Sequence, residues 1–349
     1  MNVYKKKEKT MNKITKYGVS ALAGSLAAIS AAKAGDLTVT GGVNMTWMSK
    51  DDTTTGNPIG MGSNLSFSGS GELDNGWSVS LGVDHTNANA YSTTNVTVGV
   101  PGLGDFKIIQ GGSGTGIDRM DDMTPNVWEE AYGTGLGHTI DTVSGASGGA
   151  GIEFTPSDMT PDGLTARISY SPNVGGSGSS DKGTSGVSTG VKGSGWDLTL
   201  EATDAMTGME GLTLYGGVAQ VEIDQATATY SGDVDERTVG AKYAVGGFTL
   251  GYQWSEEENG RATTTTKYTN DGYGITFAVN DDLSIGYNHY ESEQTSTTNV
   301  TEEASTVQIS YTMGGATIVL AEAQGDNIGY STAATADLDA TTISVSLAF

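Results

Sequence analysis

The chain has 349 residues, of which 52 are Gly, and its charged fraction of 17% is below the typical value of about 25%. A hydrophobic fraction of 36% is too low for two close-packed helical domains, and so much Gly penalises helix throughout. The absence of Cys excludes a disulfide scaffold and a thiolate zinc site. The 15 Tyr and 5 Trp, set in recurring apolar alternation, exclude plain disorder.

The charge is distributed unevenly along the chain. Seven of the 17 Lys and Arg residues, and one of the 41 acidic residues, precede residue 35. The remaining 10 bases and 40 acids give residues 35–349 a net charge of −30. Because phosphate binding needs clustered Lys and Arg, nucleic acid is not an expected partner, whereas cations are.

The first 34 residues have the pattern of an export signal. After Met11, two lysines precede an apolar stretch (Val19–Ile29) and the tripeptide Ala32-Lys33-Ala34. This order is typical of a secretory signal with an A-x-A cleavage site, and an N-terminal amphipathic helix is the alternative. The residues before Met11 are then either upstream of the true start or an extension of the basic region. Residues 35–349 form the predicted exported domain.

Apolar and polar residues alternate through most of that domain, which is typical of strands with one apolar and one polar face. In residues 77–84, for example, Trp, Val, Leu and Val alternate with Ser, Ser, Gly and Asp. The alternation changes phase between Val218 and Val221, which predicts a β-bulge there. With both ends of the domain on the same side, we predict sixteen strands at residues 36–49, 60–73, 77–90, 92–100, 104–112, 148–155, 163–172, 189–204, 211–224, 235–245, 248–258, 267–279, 282–293, 303–313, 316–326 and 336–349.

The connections between these strands alternate between tight and long. Asp74-Asn75-Gly76, Gly246-Gly247 and Gly314-Gly315 are hairpin signals. The longest polar connection runs from Gly112 to Gly148. Short turns at one end and long loops at the other are typical of an up-and-down outer-membrane barrel.

The polar face distinguishes such a barrel from a water-soluble sandwich, whose outer face usually carries Lys and Glu. Here that face carries Ser, Thr, Asn and Gly, and aromatic residues lie near the ends of the apolar face, as in interfacial girdles. Unpaired amides cost several kcal/mol each in hydrocarbon, so only a closed barrel lets such strands span a membrane. About sixteen strands leave a water-filled interior.

The last strand carries a distinct signature. Ile343, Val345, Leu347 and the terminal Phe349 are apolar, and the residues between them are small or polar. This ending looks like the assembly signal that outer-membrane barrels present to the barrel-assembly machinery. With this ending, the export signal, the hairpins and the long connection between the fifth and sixth strands, the chain resembles the trimeric general porins of Gram-negative bacteria. Among their branches it resembles the alphaproteobacterial porins most.

The resemblance implies a fold and a function. The fold is all-β, a transmembrane antiparallel up-and-down barrel of about sixteen strands whose long third extracellular loop folds inward. The function is passive diffusion of small hydrophilic solutes by a homotrimer, embedded in the lipid and lipopolysaccharide of the outer membrane, without catalysis. The acidic groups Glu256–Glu258 and Glu302-Glu303 are assigned to exterior loops, as a solvated face or as divalent-ion bridges to lipopolysaccharide phosphates.

In porins the third long loop narrows the channel, and the resemblance gives this role to Gly112–Gly148. The charged residues of this segment are Asp118, Arg119, Asp121, Asp122, Glu129, Glu130 and Asp141. They form either an acidic half-ring that creates a negative potential, as in cation channels, or a loop that is merely solvated. A third interpretation has Asp121, Asp122, Glu129 and Glu130 binding a calcium ion, which prefers oxygen ligands. No cofactor is otherwise expected.

Strand phase also predicts which charged side chains line the lumen. The predicted lumen residues are the bases Lys107, Arg167 and Lys242 and the acids Glu72, Asp84, Glu153, Asp197 and Glu201. The excess of acids predicts a preference for cations. Between Gly35 and Asp105 the only base is Lys50, and the constriction-loop motif of enterobacterial porins is missing. The resemblance therefore assigns no further residues to a transverse electric field, in which bases on one wall of the channel face the acids of the loop.

Two other functions are alternatives to the porin. A secreted, Gly- and acid-rich surface β-protein, of the adhesin or surface-layer type, would be soluble and would not need Phe349. A barrel hydrolase would need His138 beside a nucleophile, and no sequence pattern brings them together. His289 falls on the outward phase near the rim, where an interfacial position is expected.

Overall fold

The computed structural model of the chain describes residues 37–51, 57–87, 93–111, 114–174, 192–224, 230, 232–262, 267–296 and 298–348. The predicted export signal (residues 1–34) and Phe349 of the predicted assembly signal lie outside the described residues. Within the described part of the chain, no helix is long and apolar enough to cross a membrane.

Strands account for most of the described residues, and the sequence prediction of sixteen strands is confirmed. Their boundaries lie within about four residues of the predicted ones. The strands are β1 (Thr38–Lys50), β2 (Ile59–Glu72), β3 (Ser78–Thr86), β4 (Thr93–Val100), β5 (Gly104–Gln110), β6 (Ala150–Pro156), β7 (Leu164–Asn173), β8 (Lys192–Ala202), β9 (Leu212–Ile223), β10 (Val234–Val245), β11 (Phe248–Glu258), β12 (Lys267–Ala278), β13 (Leu283–Thr295), β14 (Val300–Met313), β15 (Ala316–Asp326) and β16 (Leu338–Ala348).

The strands form one closed antiparallel barrel. Each strand pairs with its neighbours in sequence, and β1 pairs with β16 from Gly42↔Ala348 to Lys50↔Ala340. Closure gives every strand two hydrogen-bonded neighbours, which removes the open edges that hydrocarbon does not tolerate. The predicted up-and-down barrel is therefore confirmed, with both ends of the described domain on the same side.

Alternation along the strands separates an apolar outer face from a polar inner face. On β14, Val307 and Ile309 are 52% and 42% exposed, whereas the intervening Gln308 is 1% exposed because it faces inward. The described members of the predicted assembly signal follow the same rule, since Ile343 and Leu347 are exposed on the outer face. An outer face of this kind suits lipid and not water, which argues against a soluble surface protein.

The two ends of the barrel differ in their connections. The short-turn end contains the two-residue turns before β11 and β15, where Gly246 and Gly314 adopt the left-handed φ values of 58° and 61° that such turns favour. It also contains the single short α-helix of the described chain, α1 (Asp204–Thr207), between β8 and β9. The long-loop end contains the connection between β5 and β6 (residues 111–149), which we call the third loop.

Two sequence predictions about local structure are wrong. The predicted bulge is not on β9: this strand pairs with β10 without interruption, and the register shift of its pairing with β8 lies between Lys192 and Gly195 of β8. Val221 is fully buried on the inner face. Val221 breaks the expected polarity because it packs against Ala146 of the third loop. In addition, Glu256–Glu258 and Glu302-Glu303 belong to β11 and β14 instead of exterior loops. Glu258 is the last residue of β11, and β14 begins at Val300, ahead of its predicted start at residue 303.

Buried apolar residues lie between the third loop and the inner wall. One cluster joins Ile117 and Val143 of the loop to Ala219 of β9. Another joins Ala131 of the loop to Tyr290 on β13. The apolar core of this molecule thus attaches the loop to the barrel and does not fill the barrel.

A lysine placed on the outer face of β14, compared with a lysine on its inner face, tests which face contacts lipid. Ile309 lies outward, beside Ile285 and Leu320 in the register, whereas Ser310 lies inward. We expect Ile309→Lys to lower the free energy of unfolding by about 2–4 kcal/mol, the cost of a charge near the bilayer midplane. The control Ser310→Lys should change it little. Urea unfolding of the barrel in lipid vesicles measures both, and equal effects of the two lysines would contradict the assignment.

Candidate functional site

The third loop lies against the inner wall in two passes. Its outbound arm, residues 117–131, crosses β9, β11, β13 and β14, and its return arm, residues 138–146, comes back across β14, β12, β10 and β8. The outbound arm lies deeper in the barrel, because on β14 it contacts Gln308 while the return arm contacts Glu302 near the long-loop end.

Three amide side chains hold the outbound arm. Gln253 on β11 accepts a hydrogen bond from Met123 N at 3.0 Å and donates one to Met120 O at 2.6 Å. Asn288 and Gln308 also each accept a backbone N–H of the loop and donate to a backbone carbonyl of it. An amide offers both a donor and acceptors, so it replaces the sheet partners that loop backbone lacks.

Inward carboxylates hold the return arm and the start of the loop. Glu302 accepts hydrogen bonds from Thr139 N and Thr139 Oγ1, both at 3.0 Å, and from Gly329 N of the connection between β15 and β16. Glu236 accepts the backbone N–H groups of residues 144 and 145 at 2.7 Å each. Asp197 accepts Ala146 N at 3.0 Å. Charged acceptors form stronger hydrogen bonds than neutral ones, so these contacts fix the loop firmly.

His138 takes part in the same attachment. Its side chain is fully buried, and Nδ1–H donates to Glu302 Oε1 at 2.9 Å. The only histidine of the third loop, which the hydrolase hypothesis needs, therefore lies under the loop and not at a surface that solutes reach.

Two glycines of the wall let the outbound arm lie flat. A Cβ at Gly274 would collide with the carbonyl oxygen of Pro125, and one at Gly251 would collide with the Pro125 ring. The close approach of two backbones is a site where only Gly fits.

The predicted acids of the constriction loop lie on the outbound arm, with the exception of Asp141 on the return arm. Asp118, Asp121, Glu129 and Glu130 are half-buried, and Asp122 is exposed. Arg119 forms an ion pair with Glu153 on β6 at 2.5 Å, and among these acids its charge acts on the neighbouring Asp118.

Burial and neighbouring negative charges raise the pKa values of these loop acids. Burial, together with the charge of Asp122, raises the pKa of Glu130 to about 7. The same two causes raise the pKa of Asp121 well above its usual range and that of Glu129 above its usual value. Burial is also the main cause that raises the pKa of Asp118. The negative charge of this arm therefore changes with pH near neutrality.

The predicted lumen bases lie beside acids or aromatic rings. Lys107 is paired in register with Glu153, and Arg167 lies in the electrostatic field of Glu153 and Glu201. The ammonium of Lys242 lies 6.0 Å from the ring centre of Tyr215. These bases are dispersed over β5, β7 and β10 and do not form one cluster.

The strands β1–β4 provide a nearly neutral wall across the barrel from the loop. Their inward residues are mainly Ser, Thr, Asn and Gly, and the charged ones are Lys50, Glu72 and Asp84. Asp84 accepts a hydrogen bond from Ser66 Oγ at 2.5 Å. A recess of about 820 Å³ on this wall is lined by side chains that include Asn44 and Asn64.

Asp197 and Glu153 differ from the other predicted lumen residues. Both are buried beneath the third loop, where Asp197 accepts Ala146 N and Glu153 accepts Gly116 N, so they anchor the loop and do not line open lumen. The anchors Glu236 and Glu302 were missed by sequence reasoning. Residues separated by two or four positions on a strand face the same side. Thr238 and Thr306 face inward, so the alternation also places Glu236 and Glu302 on the inner face and could have identified them.

The four carboxylates of the calcium hypothesis do not converge on one point. Among the described residues, one group alone brings three metal-ligating atoms within 4.8 Å of one another, and it consists of His289, Glu291 and Glu303. That group lies on the outer face, where His289 was expected, and it was not predicted as a cluster.

Comparisons with known proteins agree with the barrel. The chain matches the family model of Gram-negative porins over residues 18–328. Its structure is similar to OmpT of Vibrio cholerae in the trimer form, with a TM-score of 0.65 and 13% identity over 91% of this chain and 100% of that chain. It is also similar to OmpF of Salmonella typhi in complex with daunomycin, with a TM-score of 0.64 and 14% identity over 90% and 97% of the two chains.

A mutant of the Rh. blastica porin gives a TM-score of 0.56 at 13% identity, over 90% of this chain and 100% of that chain. At such identities the structural likeness shows the fold alone. A sequence comparison with curated proteins gives no significant match. The alphaproteobacterial branch stays a prediction.

Removing one anchor should loosen the third loop without opening the barrel. In Glu302→Ala, Thr139 N–H and His138 lose a charged acceptor, and each such hydrogen bond contributes about 1.5–3 kcal/mol. We expect faster proteinase K cleavage of residues 137–141 in the folded barrel. The control is Glu293→Ala, because that side chain faces outward on the neighbouring strand β13. Equal cleavage rates in the two variants would show that Glu302 does not hold the loop.

Proposed function

Because the chain belongs to the Gram-negative porin family and forms an outer-membrane barrel, we propose that small hydrophilic solutes and ions diffuse through its water-filled lumen, with a preference for cations. The mechanism is size exclusion by the third loop combined with an electrostatic bias. It involves no catalytic step and no energy coupling.

One observation carries the ion preference: the charges on the two sides of the lumen differ. The outbound arm presents the carboxylates of Asp118, Asp121, Asp122, Glu129 and Glu130. The opposite wall of β1–β4 is nearly neutral, so within the described strands of that wall no cluster of bases faces these acids. A cleft with charges of one sign concentrates counter-ions, which here are cations.

Salt screening determines how far from the loop its acids influence a passing ion. The Debye length is about 10 Å at 0.1 M salt and about 3 Å at 1 M. The acids of the loop therefore influence ions across a narrow constriction in dilute salt and lose most of that influence in concentrated salt. The cation preference should follow the same trend.

Calcium enters this proposal as an exchangeable counter-ion. The carboxylates of Asp121, Asp122, Glu129 and Glu130 repel one another, and a cation near them relieves that repulsion. Because their oxygens do not converge, such a Ca²⁺ keeps much of its water shell and is not required for the fold.

The proposal extends to export and assembly. Residues 1–34 act as a cleaved export signal, and the barrel-assembly machinery recognises the closing strand. The mature barrel forms a homotrimer in outer-membrane lipid and lipopolysaccharide. The relative described as a trimer, OmpT of Vibrio cholerae, supports this assembly by its shared fold.

Reversal potentials across a planar bilayer with a salt gradient test the ion preference. We expect a cation preference at pH 9 that falls as the pH is lowered through about 7, because the raised pKa of Glu130 makes its protonation begin there. Acids with ordinary pKa values near 4 would leave the preference constant over this range.

Two variants complete this test. Glu130→Gln should weaken the pH dependence, and the raised pKa values of Asp121 and Glu129 should maintain the rest. Asp74→Asn, in the turn between β2 and β3, should leave it unchanged. An anion preference at pH 9, or a cation preference that does not change with pH, would overturn the proposed role of the loop.

A further inference from the structure

Three potential metal ligands lie together on the outer face of β13 and β14. His289 and Glu291 are two residues apart on β13, so both project to the same face. Glu303 on β14 is the direct register partner of Glu291. One ligand atom from each of the three side chains lies within 4.8 Å of the other two.

The two carboxylates are in an unfavourable position without a cation. Like charges directly opposite each other on adjacent strands destabilise a sheet. Among the described residues, no Lys or Arg forms an ion pair with Glu291 or Glu303. By contrast, Glu256, another outward carboxylate near this rim, is paired with both Arg237 and Lys267.

The imidazole of His289 provides an independent indication of a ligand. The residue is only 8% exposed, and its Nδ1 has no hydrogen-bond partner. Its Nε2 lies 3.2 Å from Glu291 Oε1, and its ring lies against the ring of Tyr273 with centres 4.8 Å apart. A buried polar nitrogen without a partner is costly, and metal coordination is one of the few ways to satisfy it.

The donor set indicates the class of metal. Calcium and magnesium prefer sites made of oxygen alone. One imidazole with two carboxylates is instead a donor set that zinc uses, with a further position left for water. From these observations we propose that His289, Glu291 and Glu303 bind one Zn²⁺-class divalent cation on the outer face, near the long-loop end. The bound ion joins β13 to β14.

Isothermal titration of the folded, metal-stripped protein with Zn²⁺ in detergent tests this site. We expect one saturable site per chain that an excess of Ca²⁺ does not displace. His289→Gln should weaken Zn²⁺ binding by at least the roughly 10–100-fold that even the loss of an outer partner costs a metal site. Glu303→Gln should have a similar effect.

The matched control is Glu293→Gln. Glu293 also faces outward on β13 and loses the same charge, but it is not a member of the triad. Heat-modifiable gel migration verifies folding, and Glu303→Gln decides the outcome if His289→Gln does not fold. The proposal is overturned if Zn²⁺ does not bind, if Ca²⁺ displaces it, or if Glu293→Gln weakens binding as much as Glu303→Gln does.

Discussion

The need to pair every backbone N–H and C=O group determines this structure at two levels. In the wall, hydrocarbon offers no partners, so the strands must close into a ring in which β1 pairs with β16. Inside the ring, the third loop has no sheet partners, and the wall supplies side chains in their place. Amides such as Gln253 receive its outbound arm, and carboxylates such as Glu236 receive its return arm.

This use of the wall divides the many acids of the chain into groups with different effects. Glu236, Glu302 and Asp197 are occupied by loop N–H groups and lie out of contact with the lumen. The acids of the outbound arm, such as Asp122 and Glu130, stay at the lumen, where their charge acts on solutes. The net charge of the sequence alone therefore does not describe the field that a solute meets.

The sequence alone predicts the strands of the barrel wall, but it does not predict how the third loop attaches to that wall. Alternation is a local signal, so the strands and outward residues such as Ile343 could be predicted from short windows. The loop attachments join residues far apart in sequence, as in Thr139 and Glu302, which are separated by 163 positions. No local pattern records such a contact, and for this reason Asp197 was expected in the open lumen and Val221 was interpreted as a sign of a bulge.

The central claim is that a closed β-barrel with a lipid-facing outer surface and a hydrated interior leaves a continuous aqueous path past the third loop. Single-channel recording of the purified protein in a planar bilayer tests it most directly. Discrete conductance steps, with a current proportional to voltage at low voltage, are the predicted result. A folded, bilayer-inserted barrel that conducts no ions would contradict the claim, because it would mean that the loop and the wall close the lumen completely.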